Sequence, residues 1–437
     1  MPRKSYAILG AGVLAAAMWL WVQDIAIPQQ QAESVARDVP RGNLSDLYPR
    51  WLGARELLLR GRDPYGADIT REIQSGYYGR PLNPNRPNDP KDQQGFAYPV
   101  YVVFVLAPIV RLPFPLVQRG FLWLLVFVTA ASVPMWRRAL GLCASSMTDL
   151  LWIVLTLGCF PAIQGFKLQQ LTLLVAALLA ASIYALARGR LVLAGILLSF
   201  ASIKPHLVAI PTVWLCFWVV GNWRERQRLL WSLGLTMTAL VLGGELLLPG
   251  WIHKFRVAAA EYWHYTGGDN SILAVELTPF WGRLASAAFL GVLLFLMWRW
   301  RRASQGSGEF CWIMALVTAT TLAVIPMFAP YNQLILLPCL MVIAHTTRPI
   351  WTGSRLPRFL VSMTALSVFW PWFVAAGLVV SQLFLPGPAV QRAWALPLYT
   401  SFAIPIMVLA LLLSSGRIVR VAWANQPRSL RDNAPAE

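Results

Sequence analysis

Residues 168–190 of the chain are LQQLTLLVAALLAASIYALARGR, and this stretch decides the class of fold. Leu168–Ala187 contains no charged side chain and has the length of apolar helix that crosses the hydrocarbon core of a bilayer. The run ends at Arg188-Gly189-Arg190, and such arginines mark the cytoplasmic connections of membrane proteins. The stretch therefore predicts a transmembrane helix whose carboxyl end faces the cytoplasm.

The composition extends this prediction to the whole chain of 437 residues, of which 57% are hydrophobic and only 13% are charged. A soluble protein of this size would have about a quarter of its residues charged. The composition therefore excludes a cytosolic enzyme, a nucleic-acid-binding module and a disordered protein. The net charge of +18 comes from basic residues that lie between apolar runs rather than on one face. The chain is predicted to be an all-α polytopic membrane protein.

About twelve transmembrane helices are predicted, with both termini in the cytoplasm. The first covers Ser5–Val22, and an uncleaved helix is favoured over a signal peptide because many spans follow. The further predicted spans are Leu116–Met135, Leu150–Phe160, Leu168–Ala187, Leu191–Ile203, Leu207–Val220, Leu229–Leu248, Leu284–Trp298, Phe310–Met327, Leu334–Ala344, Phe359–Leu383 and Ala393–Leu413. Clusters of arginine fall on every second connection, so one topology places all of them inside. Tyr98–Val110 is too short for a span and is predicted to be a re-entrant or interfacial helix.

These features divide the chain into six parts. They are a first transmembrane helix (1–27), a large extracytoplasmic loop that carries amphipathic interfacial helices (28–97), a membrane module (98–249), a second extracytoplasmic loop (250–280), the carboxyl-terminal membrane helices (281–416) and a cytoplasmic tail (417–437). The polar residues of interest gather on the outer face in this topology.

Asp46 stands at the start of a predicted amphipathic helix in the first loop. Leu47, Trp51, Ala54 and Leu58 form one apolar stripe at helical spacing, so this helix should lie along the membrane surface. An aspartate in this position can cap the helix. It can also act as a general base at the mouth of the membrane. The sequence pattern alone favours the cap.

Lys167 and Lys204 lie at the outer ends of apolar helices, and His206 follows Lys204 closely. A lysine in such a place must extend to the interface or meet an anion. Two lysines at neighbouring helix ends indicate a pocket for a lipid phosphate.

The second outer loop combines aromatic residues with hydrogen-bonding side chains, namely Trp263, His264 and Asn270. This combination suits sugar recognition, and it equally suits an aromatic belt at the membrane interface. The five cysteines are not clustered, and neither a metal-ligand motif nor a nucleotide-binding motif occurs. No metal and no cofactor are therefore expected.

The order of several motifs resembles the GT-C superfamily of membrane glycosyltransferases and, within it, glycosyltransferase family 87. That family includes polyprenyl-phosphate-mannose-dependent α-mannosyltransferases of actinobacteria. The resemblance runs from about Tyr6 to Leu340. Its elements are Asp46 followed by Gly61-Arg62-Asp63-Pro64-Tyr65, then Phe96-Ala97-Tyr98-Pro99, Pro108, Gly165 with Lys167, Gly195 with Lys204-Pro205, and Asn270-Ser271. Many relatives have His or Asp where this chain has Tyr331-Asn332-Gln333.

The resemblance implies an inverting glycosyltransferase at the outer face of a bacterial inner membrane. It would transfer a sugar, expected to be mannose with arabinofuranose as the alternative, from a polyprenyl-phosphate-linked donor to a glycan or glycolipid. Asp46 would be the base. The donor phosphate would meet Lys204, Lys167, His206 and Arg50, and the sugar and acceptor would meet Tyr65, Tyr98, Asn270, Trp263, His264 and Asn332. Two alternatives stay open: a transporter or lipid-linked-sugar flippase, and an inactive protein that binds the lipid.

Overall fold

The structure is a computed structural model that describes residues 2–39, 45–83, 85–142, 145–266, 271–326 and 329–424. Throughout these ranges the regular structure is helical, and no strand occurs in them. This agrees with the composition, because an apolar environment leaves backbone groups no partner outside the chain and favours helices, which satisfy those groups internally.

The described part of the chain forms twenty-one α-helices, α1 to α21 in chain order. The first eleven are α1 (Pro2–Leu20), α2 (Ile27–Ala36), α3 (Leu47–Arg60), α4 (Ala67–Tyr78), α5 (Val102–Leu106), α6 (Phe114–Ala139), α7 (Ser146–Gly158), α8 (Phe160–Leu168), α9 (Leu171–Ala187), α10 (Leu191–Ala201) and α11 (Pro205–Gly221). The other ten are α12 (Trp223–Leu247), α13 (Trp251–Thr266), α14 (Ile272–Leu277), α15 (Pro279–Arg299), α16 (Gly308–Val324), α17 (Leu337–Trp351), α18 (Arg355–Ser381), α19 (Gly387–Arg392), α20 (Ala403–Ser414) and α21 (Gly416–Ala424).

Within the described ranges, seven helical segments are long and apolar enough to cross a membrane. An eighth candidate is the pair α7 and α8, which is bent by 58° at its break. Four shorter apolar helices accompany them, namely α9, α10, α11 and α16. The chain is therefore a polytopic, all-helical membrane protein. Helix α5 lies in the segment that was predicted to be re-entrant or interfacial, and it has only five residues. Its length of about 8 Å is too short to cross a bilayer.

Three features differ from the sequence-based expectation. The first helix does not end near Val22, because a π-helical turn at Trp21–Ala26 continues it into α2 and on to Ala36. The second predicted loop is mostly helical and forms α13 and α14. The third difference is that α3 is a packed helix, in which the polar residues Arg50 and Glu56 are buried together with most of the apolar stripe.

The break between α7 and α8 has a local cause. Pro161 has no N–H to bond the carbonyl oxygen of Leu157, as a continuous helix would require, and its ring would clash with that carbonyl. The backbone accordingly leaves the helical region at Cys159, with φ of −75° and ψ of 150°, and α8 starts in a new direction. Because α8 is short, its carboxyl end comes to lie beside the start of α3, where the candidate site is found.

The core of the molecule is built around α16, which is buried along nearly its whole length. This helix has apolar residues on all sides, as expected for a helix surrounded by other helices. It packs against α11, α15, α17, α20 and α21. On one side α6, α9, α10 and α12 pack in sequence, and on another α1 packs against α7 and α18.

The amino end of α1 and the carboxyl-terminal helix α21 meet the same connection, the one between α6 and α7. Lys4 Nζ donates to Ser145 Oγ over 3.2 Å, and Trp423 Nε1 donates to the carbonyl oxygen of Leu140 over 3.1 Å. Arg137 and Arg138 end α6 next to this connection. We call this end of the helices the basic end.

A second contact joins the basic connections after α11 and α15. Arg226 Nη2 donates to the carbonyl oxygen of Ala303 over 3.1 Å. Arg190 and Arg226 lie at one end of the antiparallel helices α9 to α12, and Gln170 and Lys204 lie at the other end. The basic residues and the candidate site described below therefore occupy opposite ends of these helices.

Candidate active site

The amino end of α3 is attached to the turn between α8 and α9. The backbone N–H of Asp46 donates to the carbonyl oxygen of Leu168 over 3.0 Å, and Ser45 Oγ donates to Gln169 Oε1. Gln169 Nε2 in turn donates to the carbonyl oxygen of Gln118 on α6. These bonds hold the first polar segment against the membrane helices at one point.

Asp46 occupies the N-cap position of α3, but its side chain makes no capping hydrogen bond to that helix. Its carboxylate instead accepts a hydrogen bond at Oδ2 from Gln170 Nε2 and a longer one at Oδ1 from Tyr77 OH, at 3.4 Å. The backbone of Asp46 is engaged as well, because Arg50 Nη1 donates to its carbonyl oxygen over 2.7 Å. The interpretation of Asp46 as a cap is therefore wrong for its side chain.

The turn between α8 and α9 has an unusual backbone that aims Gln170 at Asp46. Gln169 has a φ of +50°, in the left-handed region that residues other than glycine rarely adopt. The N–H of Gln170 donates to the carbonyl oxygen of Gly165 over 2.9 Å and closes the turn. A Cβ on Gly165 would lie 2.2 Å from Leu173 Cδ1, so any larger residue here would force the Leu173 side chain to shift.

Lys204 lies in the turn between α10 and α11 and reaches the same amide from the other side. Its Nζ donates to Gln170 Oε1 over 3.0 Å and to Thr172 Oγ1 over 2.7 Å. Thr172 passes the chain of hydrogen bonds on to Asn332 Oδ1 over 3.1 Å. The Lys204 side chain is buried, with 7% of the residue exposed. A buried ammonium group is stable only if it is hydrogen-bonded or meets an anion.

Aromatic rings surround this ammonium group. Lys204 Nζ lies 5.7 Å from the ring centroid of Tyr98 and 5.1 Å from that of Tyr331. The guanidinium of Arg50 also lies over the ring of Tyr98, 4.9 Å from its centroid. Ring faces attract cations electrostatically without neutralising them. Tyr98 therefore holds two positive groups on one wall, and the charge on both remains available to an anionic ligand.

The electrostatics of the pair follow from burial. Burial raises the pKa of Asp46 above its usual range, and Arg50, Lys204, Gln170 and Tyr77 oppose that rise. Burial and the charge of Arg50 lower the pKa of Lys204 to about 7, with Asp46 opposing. A raised pKa makes a carboxylate a stronger base. An anion bound beside Lys204 would raise the pKa of the lysine again and restore its full charge.

A cavity of about 570 Å³ opens in front of Lys204. Its polar and aromatic lining consists of Arg50, Tyr98, Gln170, Lys204, His206, Arg256, Tyr262, Trp263, Tyr331 and Asn332. Its apolar lining consists of Ala97, Pro99, Ile203, Pro205, Ala209, Phe255, Ala259 and Ala260. Asp46, which is partly exposed, is not one of these lining residues, but its carboxylate bonds to Gln170, which is one. The cavity therefore joins a cationic, aromatic end to an apolar wall made by α11 and α13.

The structure brings together most of the residues predicted from the sequence. Six of them line the cavity: Arg50, Tyr98, Lys204, His206, Trp263 and Asn332. A seventh, Tyr65, lies behind the wall, where its hydroxyl donates to the carbonyl oxygen of Tyr98 over 2.6 Å. Tyr65 therefore supports a lining residue and does not face the cavity itself.

Three predicted residues are not part of this group. Lys167 is exposed on the last turn of α8 and lies outside the cavity lining. His264 is also exposed and outside the lining, although its neighbour Trp263 belongs to it. Asn270 lies outside the residues that the structure describes.

Sequence reasoning missed residues whose roles depend on distant partners. Gln170 and Thr172 connect Asp46, Lys204 and Asn332, and Tyr77 is the second partner of the carboxylate. Tyr331 forms one aromatic face for Lys204. The one available signal was a pair of glutamines and a threonine at the start of a long apolar run. Tyr77 lies on the short helix α4 and carried no signal of its own.

Comparison with known proteins fits this geometry. The model of glycosyltransferase family 87 matches residues 96–330, which is more than half of the chain. The chain belongs to glycosyltransferase family 87. The comparisons found no curated protein and no solved structure that matches it. Membership in family 87 indicates a membrane-embedded glycosyltransferase that uses a sugar donor and an acceptor. Of the site, the match contains Tyr98, Gln170 and Lys204, whereas Asp46 precedes it and Asn332 follows it.

Proposed function

We propose that this family 87 protein is an inverting glycosyltransferase that moves a sugar, expected to be mannose, from a polyprenyl-phosphate donor to an extracytoplasmic glycan or glycolipid. One observation carries the proposal. The carboxylate of Asp46 and the ammonium group of Lys204 meet the same Gln170 amide, at the end of a cavity with an apolar wall. A base and an anion-binding cation in one water-poor site are what transfer from a phosphate leaving group requires.

In the proposed reaction an acceptor hydroxyl attacks the anomeric carbon on the face opposite the phosphate. The hydroxyl proton passes to Asp46, a bond forms between the acceptor oxygen and carbon, and the bond between carbon and the phosphate oxygen breaks. The electron pair of that bond stays on the phosphate, which leaves as a polyprenyl monophosphate. Among the described residues Asp46 Oδ1 accepts only the long bond from Tyr77, at 3.4 Å, so this oxygen would take the proton of an acceptor that reaches it beside Gln170.

Lys204 and Arg50 would hold the donor phosphate, with His206 beside them. Among the described residues two of the three N–H groups of Lys204 have oxygen partners, so the third is available to a phosphate oxygen. The adjoining wall of Ala209, Phe255 and Ala259 is apolar and would accept the first isoprene units of the donor. Trp263, Tyr98 and Asn332 would contact the sugar.

The proposed orientation places the site on the extracytoplasmic side of a bacterial inner membrane. Arginine-rich connections mark the cytoplasmic side of membrane proteins, and the site lies at the opposite end of α9, α10 and α11 from those connections. The seven long helices, the bent pair and the four shorter apolar helices would together make the twelve crossings expected from the sequence.

The test is transfer in proteoliposomes that contain the full chain, a short-chain polyprenyl-phosphate mannose and octyl α-mannoside as acceptor. Replacing Asp46 with Asn should lower kcat by roughly 10²–10⁴-fold, because a positioned base contributes about that much. The matched control is Asp68→Asn. Asp68 is exposed on α4, and its partner Arg62 retains hydrogen bonds to Glu56 and Glu72.

Unchanged transfer in the Asp46→Asn variant would show that Asp46 is not the base. The arabinofuranose donor is tested in parallel, and preference for it would change the sugar but not the mechanism. Movement of the donor across the bilayer without transfer would replace this proposal by the flippase alternative.

A further inference from the structure

Gln170 lies between two groups of opposite charge that are each close enough to touch its amide. Its Nε2 donates to Asp46 Oδ2, and its Oε1 accepts from Lys204 Nζ over 3.0 Å. The amide is neutral, and its donor and acceptor ends match the carboxylate and the ammonium group respectively. The carboxylate and the ammonium group are therefore separated by the width of one side-chain amide.

The position of this amide is fixed by the surrounding chain. The left-handed backbone of Gln169 and the bond from the Gln170 N–H to Gly165 O define the turn. The side chain of Gln169 is anchored at both ends, by Ser45 and by the carbonyl oxygen of Gln118. Gln170 is buried as well. Since the turn cannot shift freely, its amide stays between the two charged groups.

Direct contact between Asp46 and Lys204 would be unfavourable for the chemistry of both. A buried carboxylate that pairs with an ammonium group becomes a weaker base, because the positive charge stabilises its ionised form. The lysine would at the same time give its remaining N–H to the carboxylate instead of to a phosphate. Attraction between opposite charges is strong in a buried site, so the pair would form if nothing separated the two groups.

We propose that Gln170 is a positioning residue that keeps the carboxylate of Asp46 and the ammonium group of Lys204 from forming a direct ion pair, which leaves Lys204 available to the donor phosphate. This inference rests on the proposed function, in which Lys204 binds that phosphate. It goes further because it assigns Gln170 a role through two other residues and predicts how the loss of that role can be repaired.

The experiment measures binding of farnesyl phosphate to the full chain in nanodiscs, which requires no transfer. Gln170→Met preserves the length of the side chain and removes both hydrogen bonds. Lys204 should then pair with Asp46, and the Kd for farnesyl phosphate should rise by roughly tenfold or more. Adding Asp46→Asn removes the competing carboxylate. The double variant should therefore bind within about threefold of the single Asp46→Asn variant.

A second variant keeps the test decisive if Gln170→Met does not fold. Gln170→Glu keeps the shape of the side chain and should fold, but its new carboxylate pairs with Lys204 itself. Its binding should weaken, and Asp46→Asn should not restore it, because residue 170 now holds the lysine. Thermal unfolding of every variant establishes which of them are folded.

Each result has a distinct meaning. Wild-type affinity in folded Gln170→Met or in Gln170→Glu would refute the separating role. Weaker binding in Gln170→Met that Asp46→Asn fails to repair would also refute it, because Gln170 would then act by touching the phosphate or by shaping the turn. Absence of farnesyl phosphate binding in the wild type would overturn the proposed donor class, and the role of Gln170 with it.

Discussion

The replacement of Lys204 with Met is the perturbation whose effect can be worked out most fully from the structure. Methionine fills nearly the same volume but removes the charge and all three N–H donors. The ammonium group faces the rings of Tyr98 and Tyr331 and donates to Gln170 and Thr172. Among the described residues these contacts leave one donor for a ligand.

The magnitude has two parts. A hydrogen bond to a charged group contributes about 1.5–3 kcal/mol, so loss of the donor–phosphate bond should raise the KM for the donor by roughly tenfold or more. As the sugar leaves, the phosphate gains up to one further negative charge. At 4 Å and an effective dielectric constant of 20 a full charge interacts by about 4 kcal/mol. Half of that charge in the transition state corresponds to about 2 kcal/mol, or roughly 30-fold in kcat.

Initial rates over a range of donor concentrations separate the two parts. Lys91→Met is the control, since Lys91 is an exposed lysine of the first polar segment and lies outside the cavity lining. The reasoning is refuted if folded Lys204→Met keeps the wild-type kcat/KM for the donor. It is equally refuted if the loss lies only in the KM for the acceptor.

Three further predictions concern single residues. Lys167→Met should change the donor KM by less than about threefold, because this lysine is exposed and outside the cavity lining. An increase in the donor KM as large as that expected for Lys204→Met would show that Lys167 belongs to the site. Tyr77→Phe removes a hydrogen bond that lowers the pKa of Asp46, so this pKa should rise. The acidic limb of the plot of kcat against pH should therefore move to higher pH, by less than about one unit because the bond is long. A shift to lower pH would contradict this prediction. Gly53→Ala places a Cβ 2.4 Å from Phe96 Cδ2, in a ring that is only 1% exposed. The variant should therefore lose about 1–3 kcal/mol of stability, measured as a lower Tm. An unchanged Tm would show that the ring can move.

Helix positions were predictable because they depend on local apolar length. Leu168–Ala187 was expected as a span and α9 covers Leu171–Ala187, while Leu168 ends α8 and the two glutamines between them form the turn. The start of α3 just after Asp46 was likewise visible in the spacing of its apolar stripe. The direction of the Asp46 side chain was not, since it depends on Gln170, which is 124 positions away in the chain.

Lys167 and Lys204 are a second example of what the sequence alone could not predict. Lys167 and Lys204 both stand at the ends of apolar runs, so sequence physics treats them alike. The bend at Pro161 sets the direction of α8, and Lys167 on its last turn is exposed. The turn before Pro205 instead places Lys204 under two aromatic rings. The two lysines therefore differ in the direction that their helix ends take in the folded chain, and no local sequence pattern encodes that direction.

The attachment of the first polar segment to the membrane helices also has an evolutionary consequence. Ser45 and Gln169 are only 2% and 3% exposed, and the serine hydroxyl donates to the glutamine oxygen. Loss of either partner would leave a buried polar group unpaired, at a cost of about 1–3 kcal/mol. Substitutions at these two positions should therefore be correlated among related sequences. A hydrophobic residue at position 45 should accompany a shorter or apolar residue at position 169, and this covariation would record the docking of the aspartate-bearing segment onto the bundle.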